Sequence, residues 1–278
     1  MVAPNKGMTK QPKKYLKYDK YKLAADSLYA VSGMILFSFT KHNCDTKNII
    51  IRNFIARASM ILKAIFRLWE ISDYQDAWVI YRTLLDRLFH LYYLCEKNEF
   101  IEFDNWSFFK QYNSQNKVRS DKDFKHEAVG WVYDLTEEQK MRMKTLIQNP
   151  PKWRRPKIEA VAKSMGLECL YKYGYDFAST HVHPMSNDGQ QDLFTITKLE
   201  PAPKFPDWSS VLSNSILTNS LLLQLALNYS SFRWRSLLWD YIEHIQSFLR
   251  KGNEEYQKTF LKLTSMFPAT ELCKQSTP

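Results

Sequence analysis

The stretch IRNFIARASMILKAIFRLWEISDYQDAWVIYRTLLDRLFHLYYLC, residues 51–95, decides the fold of this chain. Apolar residues recur in it at alternating steps of four and three, which is the period of an amphipathic α-helix. The first series is Ile51, Ile55, Ala58, Leu62, Ile65 and Trp69, and the second is Ala77, Tyr81, Leu84, Leu88, Leu91 and Cys95. Ser72 and Asp73 offer an N-cap between the two series. Two helices with so short a connection are expected to pack antiparallel.

Other stretches carry further helix signals, so an all-α fold is predicted. Thr136 to Gln139 matches a capping box, and the helix that follows should run to about residue 148. Pro156 suits the first position of a short helix that Gly166 ends. Phe194 to Thr197 has the composition of a short strand, but no partner strand is apparent. The other helices are predicted over residues 19–40, 100–112, 167–182, 209–231, 235–250 and 253–265.

The predicted helices form a single-domain multi-helix bundle. Residues 1–18 are expected to be a disordered basic tail, residues 19–200 the helical core domain, and residues 201–268 C-terminal helices packing on the core. Pro201, Pro203 and Pro206 indicate an extended link between the last two regions. Only 7 Gly residues are present in 278, so few tight turns interrupt the helices.

The net charge of +10 is unevenly spread, because the first 22 residues hold seven Lys and one Asp. A second basic cluster surrounds Trp153 and consists of Lys152, Arg154, Arg155 and Lys157. A basic tail beside a basic, aromatic segment is typical of proteins that bind polyanions. We therefore expect this cluster, with Lys13 and Lys14 of the tail, to contact nucleic acid. The alternative is a tail that only increases solubility.

Cysteine spacing and hydropathy predict a cytoplasmic protein with no membrane partner. The four Cys residues lie far apart, without a CxxC pair or zinc-ligand spacing. The N-terminus lacks the apolar region of a signal peptide. The uncharged run 27–40 falls short of the ~20 residues that span a bilayer. The longer stretch 209–231 carries Asn and Gln at about one-turn spacing, as expected of a buried bundle helix.

Arg82, Asp86 and His90 form a polar row, because they stand four residues apart on the second of the two central helices. The row borders the apolar stripe, so we expect it at the edge of the core. There Arg82 would present a rigid fork of donors suited to phosphate oxygens. The alternative is a helix salt bridge worth ~0.2–0.5 kcal/mol, for which an acid C-terminal to the base is the weaker orientation.

A second polar set ends the helix predicted over residues 167–182. Tyr175, Ser179 and His183 share one face of it at steps of four. Pro184 pushes His183 out of helical geometry, so His183 is expected at the helix end. A protonated His there can bind phosphate or act as a general acid, and the alternative is a capping role. His181 points away from that face and is expected to be structural.

A metal site at His181, His183, Asp188 and Asp192 is a weaker alternative. The two His side chains diverge in either a helix or a strand, so they would not chelate one ion. No metal and no cofactor are therefore expected.

Together the two segments resemble a bacterial domain-of-unknown-function family that is related to the HEPN-like helical superfamily. The resemblance rests on Arg82-x-x-x-Asp86 and on Tyr175-x-x-x-Ser179-x-x-x-His183-Pro184, and it covers about residues 45–185. Asp86 stands where the family usually has Glu. The resemblance implies a HEPN-like core and metal-independent RNA cleavage by 2′-hydroxyl attack. Arg82 would be the electrostatic clamp, His183 the general acid or base and Asp86 the orienting acid. Ser179 would either contact the phosphate or support a residue that does.

The resemblance also implies a biological setting: a ribonuclease effector of a bacterial anti-phage defence or toxin system. Its partners would be RNA, with tRNA as one candidate, a partner protein of that system, and a second copy in a homodimer. Many HEPN ribonucleases carry Arg and His four to six residues apart on one helix, a pattern that Arg119 and His126, with six residues between them, also meets. The alternative function is a non-catalytic helical module that binds nucleic acid or protein.

Overall fold

The computed structural model describes residues 17–40, 45–119, 135–183, 185–186, 189–198, 209–229 and 235–266. Within these ranges the chain forms helices joined by turns and contains no strand. The predicted all-α multi-helix fold is therefore confirmed. Lys13 and Lys14 of the basic tail, the proline-containing link, Pro184, Asp188 and His126 lie outside the described residues.

The helices follow one another along the chain in the order α1 to α12. Their bounds are α1 Tyr18–Thr40, α2 Thr46–Glu70, α3 Tyr74–Lys97, α4 Phe100–Arg119, α5 Glu137–Gln148, α6 Ile158–Ser164, α7 Glu168–Leu170, a π-helix Tyr171–Asp176, α8 Phe177–Thr180, α9 Gln190–Thr197, α10 Ser210–Asn228, α11 Arg235–Lys251 and α12 Glu255–Met266. The α7 helix, the π-helix and α8 join without a break, and we call residues 168–180 the Tyr175 segment.

The α2 and α3 helices form the central pair that the sequence predicts. The Asp45 carboxylate caps α2 by accepting a hydrogen bond from the Asn48 backbone N–H at 2.7 Å. The Asp73 carboxylate caps α3 in the same way, with the Asp76 N–H at 3.2 Å. Both predicted apolar stripes are buried, except that Trp69 is partly exposed. Burial of these two stripes against each other holds the pair together.

The α10 helix completes the core by packing on α1, α2 and α3. It is buried on most sides, including its polar residues Ser215, Thr218, Asn219 and Ser220. The Thr218 hydroxyl shares a hydrogen bond with the buried hydroxyl of Tyr81 at 3.2 Å. By length and composition α10 is the one helix in the described part of the chain that could cross a bilayer, although 67% of its apolar window is buried inside the protein.

The last two helices close over the first. The α11 helix packs on α10, and α12 packs on α11 and α1. Ser27 of α1 and Tyr241 of α11 share a buried hydrogen bond of 2.7 Å. On the surface, the Lys20 ammonium lies 2.7 Å from the Glu254 carboxylate. The C-terminal helices thus pack on α10 and α1.

Two details of the predicted helices are wrong, and one helix was not predicted. The α4 helix continues to Arg119 instead of ending near residue 112, since no Gly or Pro interrupts it. The α6 helix begins at Ile158 after an N-cap at Lys157, so Pro156 precedes its first turn. Phe194 to Thr197 belong to α9, which starts after Gly189 in a left-handed conformation with φ 72°. A helix satisfies its backbone hydrogen bonds locally, whereas a strand there would lack a partner.

The Tyr175 segment runs antiparallel to α3 and approaches it closely at Gly174. A Cβ atom on Gly174 would lie 3.1 Å from Leu85 Cδ1 and 3.2 Å from the Tyr81 hydroxyl oxygen. Further along, the rings of Phe177 and Trp78 meet edge to face at 4.8 Å. The predicted helix over residues 167–182 therefore exists with a π-helical centre, and Gly174 sets its register against α3.

Replacing Gly174 by Val should lower the free energy of unfolding by about 1–3 kcal/mol, because the added methyl groups must displace Leu85 and Tyr81. Gly33→Val is the matched control, since a Cβ atom at Gly33 meets nothing within 4 Å. Urea unfolding followed by circular dichroism measures both. Equal effects at the two positions would contradict the close packing of the Tyr175 segment on α3.

Candidate functional site

The two motif segments of the sequence meet at Tyr175. Arg82 Nη2 donates a hydrogen bond to the Tyr175 hydroxyl at 3.1 Å, and the guanidinium carbon lies 4.8 Å from the centre of the Tyr175 ring. The Asp86 carboxylate lies near the same hydroxyl and interacts with it electrostatically. Burial and the negative charge of Asp86 raise the pKa of Tyr175, so the bridging group is a neutral phenol. Tyr175 thus joins the cation and the carboxylate of the α3 row.

Arg82 is half-buried at this junction and has donor capacity left over. Its Nε–H is buried and finds no hydrogen-bond acceptor among the described residues. Tyr171 stacks on Tyr175 with ring centres 5.5 Å apart and an interplanar angle of 15°. The Tyr175 ring therefore covers a cation that has an unused N–H group, and Tyr171 supports the Tyr175 ring. Such a donor favours an anionic acceptor, because a buried N–H group that makes no hydrogen bond costs free energy.

His90 continues the α3 row one turn beyond Asp86. Its Nδ1 lies 2.7 Å from the backbone carbonyl oxygen of Asp86. A carbonyl can only accept, so Nδ1 carries the proton and Nε2 bears the lone pair in the neutral ring. Nε2 is buried and has no partner among the described residues. Burial lowers the pKa of His90, and the charges of Arg155 and Arg87 lower it further, against the opposing effect of Asp86.

Asp86 and His90 also line a cleft of about 500 Å³ between α2, α3 and α4. Arg155, from the segment before α6, reaches the same cleft. One side of the Asp86–His90 row thus faces the Arg82–Tyr175 junction, and the other faces an open cleft.

Ser179 and His183 do not join the α3 row through any described hydrogen bond or ion pair. The Ser179 hydroxyl donates to the Tyr175 carbonyl oxygen at 2.7 Å, which ties it to its own helical turn. His183 is exposed after the end of α8. Since the segment is antiparallel to α3, the residues from Tyr175 to Thr180 carry the chain roughly 7 Å toward the N-terminus of α3. His181 packs its ring on Phe177 at 5.1 Å.

The second basic cluster is anchored by Trp153, which is buried. Its indole N–H donates to the Glu99 carboxylate at 2.9 Å, and its ring packs on Trp106 and Phe103. Trp153 is therefore not available for stacking on a base. The flanking cations Lys152, Arg154, Arg155 and Lys157 are exposed. Of these four, Arg155 lies over the Trp106 ring, with its guanidinium carbon 5.5 Å from the ring centre.

In the described part of the chain, no group of three or more His, Cys, Asp or Glu side chains is placed to hold a metal ion. Asp188, which the metal alternative requires, lies outside that part. The Arg119–His126 pair also lies outside it, because neither side chain is described.

The sequence named Tyr175 and His90 in its patterns but gave them no role, and it did not single out the cleft cations Arg57, Arg87 and Lys110. Tyr175 shares a face with Ser179 and His183, and His90 stands in the Arg82 row, so periodicity pointed toward both. The cleft cations had no such signal, because they come from three helices that meet only in the fold.

Because the pKa of His90 is lowered, the folded protein should lose stability as the pH falls below the unfolded value of about 6.5. The unfolded chain then binds a proton that folded His90 takes up only at lower pH. An NMR titration of the imidazole should give a midpoint below about 6.5, and Arg155→Gln should raise that midpoint by removing a nearby positive charge. Lys258→Gln on the exposed face of α12 is the control, and a midpoint that neither substitution moves would contradict the assignment.

A comparison with protein families matches residues 48–195 to one family model. These residues include α2 to α8, both motif segments and the cleft, but not the basic tail or α10 to α12. No curated protein and no solved structure gives a significant match. The family description names no activity, so the HEPN-like relationship stays a prediction. The match covers more than half of the chain, which therefore belongs to the family of unknown function DUF5677.

Proposed function

We propose that this chain is a metal-independent ribonuclease of a bacterial defence or toxin system, with its site where α3 meets the Tyr175 segment. One observation carries the proposal: Arg82 donates a 3.1 Å hydrogen bond to the hydroxyl of Tyr175, which is far from it in sequence, and the charge of Asp86 acts on the same hydroxyl. A half-buried Arg with unused donor capacity suits a phosphate group. The setting follows the resemblance and makes tRNA a first substrate to try.

In the proposed reaction the 2′-oxygen of a ribose forms a bond to the adjacent phosphorus, and the bond from phosphorus to the 5′-oxygen breaks. One group removes the 2′-hydroxyl proton and another supplies a proton to the leaving 5′-oxygen. The products are a 2′,3′-cyclic phosphate and a 5′-hydroxyl. Arg82 stabilises the charge on the phosphorane, and Asp86 and Tyr175 orient Arg82.

Two histidines are candidates for the proton transfers. His90 Nε2 carries a lone pair, and its ring stays neutral near pH 7 because its pKa is lowered. These properties suit a general base. His183 is exposed and accessible just after the end of the Tyr175 segment. We assign it the general-acid role, and Ser179 supports Tyr175 through its hydrogen bond to the Tyr175 carbonyl oxygen.

A non-catalytic RNA-binding module is the second candidate. It is favoured by the position of His183, which no described hydrogen bond or ion pair connects to Arg82 or Asp86. The exposed cations around Trp153 fit either function, because phosphate contacts alone give salt-dependent binding.

The ribonuclease proposal predicts that the purified protein cuts tRNA or messenger RNA in EDTA and leaves 2′,3′-cyclic phosphate ends. Arg82→Ala should slow cutting by about 10²–10³-fold. Arg82→Lys should not restore the rate, because an ammonium lacks the two-pronged donor geometry. His90→Ala and His183→Ala should each slow cutting by about 10²–10⁴-fold. Gel analysis of 5′-labelled RNA measures the rates.

Arg250→Ala and His244→Ala on α11 are the matched controls, since they remove the same side chains away from α3. Full activity in both His90→Ala and His183→Ala would show that the assigned proton-transfer groups are wrong. If wild type binds RNA with a steep salt dependence but cuts none, the non-catalytic module becomes the better description.

A further inference from the structure

The cleft between α2, α3 and α4 has the size and shape of a ligand site. Its volume of about 500 Å³ is within the range of small-molecule pockets, about 300–1,000 Å³. Each wall comes from a different helix, with Arg57 on α2, Arg87 on α3 and Lys110 on α4. Arg155 closes one side from the segment before α6. The cleft lies beyond Asp86 and His90, and Arg82 does not line it.

The charge of the cleft is strongly unbalanced. Arg57, Arg87, Lys110 and Arg155 line it together with one carboxylate, that of Asp86. None of the four cations is within ion-pair distance of a carboxylate in the part of the chain that the structure describes. Cations gathered without counter-ions repel one another, so the arrangement favours an anion at their centre.

Arg87 is the most constrained of the four cations. It is half-buried, and its Nη1 donates to the Thr83 carbonyl oxygen at 2.7 Å, which holds the guanidinium in place. Burial disfavours its charged form, and the positive charge of Arg57 disfavours it further. A guanidinium held this way has N–H groups still available to receive an oxyanion in a fixed geometry.

Aromatic side chains supply the second half of the site. Phe54, Phe103 and Trp106 line the same cleft as the cations. The Arg155 guanidinium covers the Trp106 ring at 5.5 Å, and Phe103 stacks on Trp106 at 6.2 Å with an interplanar angle of 22°. Bases of nucleic acids stack on aromatic rings and on guanidinium planes. A bare phosphate or a carboxylate would leave this surface unused.

We propose that this cleft binds a nucleotide unit, with its phosphate among Arg57, Arg87 and Lys110 and its base against the Trp106–Arg155 pair. The unit is either a free nucleotide or one residue of a single-stranded RNA. An acidic peptide matches the charge of the cleft but not its aromatic wall. Asp86 and His90 border the cleft, but the proposed phosphate and base contacts do not include Arg82, His90 or His183, so binding here does not require RNA cleavage.

The experiment measures binding of three probes to the full chain in EDTA by isothermal titration: adenosine monophosphate, a ten-nucleotide single-stranded RNA and a poly-glutamate peptide. The Arg57→Gln/Lys110→Gln double variant should weaken nucleotide or RNA binding about tenfold or more, since each substitution removes a charged phosphate contact. Lys258→Gln should bind like wild type. Lys110 is exposed, so the single Lys110→Gln variant should fold normally and tests the loss of one cation without a folding defect. Circular dichroism confirms the helical content of each variant.

Tight, variant-sensitive binding of adenosine monophosphate identifies a free nucleotide as the ligand. Binding of the RNA alone, with the same sensitivity, identifies a nucleotide within a strand. The inference is overturned if neither probe binds, if the double variant binds like wild type, or if the glutamate peptide binds as tightly as either. RNA cleavage is scored on the same samples, so an inactive protein that still binds in the cleft separates this inference from the proposed function.

Discussion

The fold depends on the burial of α3 from several sides at once. Its apolar residues are not confined to one stripe: Leu85, Phe89 and Leu94 are as buried as Tyr81, Leu84 and Leu88. A helix that is apolar over much of its circumference must be surrounded to leave water. The α2 helix, α10 and the Tyr175 segment provide that cover. Between Tyr81 and Leu91 the polar residues of α3 are consequently confined to one side of the helix, namely Arg82, Thr83, Asp86, Arg87 and His90. The Arg82 junction and the cleft both border that side.

Local signals account for the helices that the sequence predicted well. The α2 and α3 stripes combine a consistent period with aspartate N-caps, and the capping box at Thr136 starts α5 as predicted. The signals failed where only the fold decides. Phe194 to Thr197 have strand-like side chains, yet a strand requires a partner that the sequence cannot reveal. The π-helical centre of the Tyr175 segment likewise follows from the close approach of Gly174 to Leu85 and Tyr81, a tertiary contact.

The same distinction holds for the site: local sequence patterns predicted some of its residues, and only the fold brings the others together. Periodicity placed Arg82 and Asp86 at the core edge and put Tyr175, Ser179 and His183 on one face of their helix. It could not give the register of that helix against α3, which brings Tyr175 to Arg82 and carries His183 toward the start of α3. The cleft could not be predicted from the sequence for a related reason. Arg57, Arg87 and Lys110 look like ordinary surface cations in three separate helices, and they become a set only when the helices pack.

The energetics of the Arg82 junction argue against a purely stabilising role. A helix pair such as Arg82 and Asp86 contributes ~0.2–0.5 kcal/mol at best, and less with the acid on the C-terminal side. The buried, unmatched Nε–H of Arg82 costs about 1–3 kcal/mol, and the unmatched Nε2 of His90 adds to that cost. Nearby, half-buried Arg87 lies close to Arg57, and neither guanidinium forms an ion pair with a carboxylate of the described residues. The unused donors and the concentrated positive charge become favourable when an oxyanion enters, and the His90 lone pair when a ligand hydroxyl donates to it, so the α3 row is better suited to a phosphate-containing ligand with hydroxyl groups than to the stability of the empty protein.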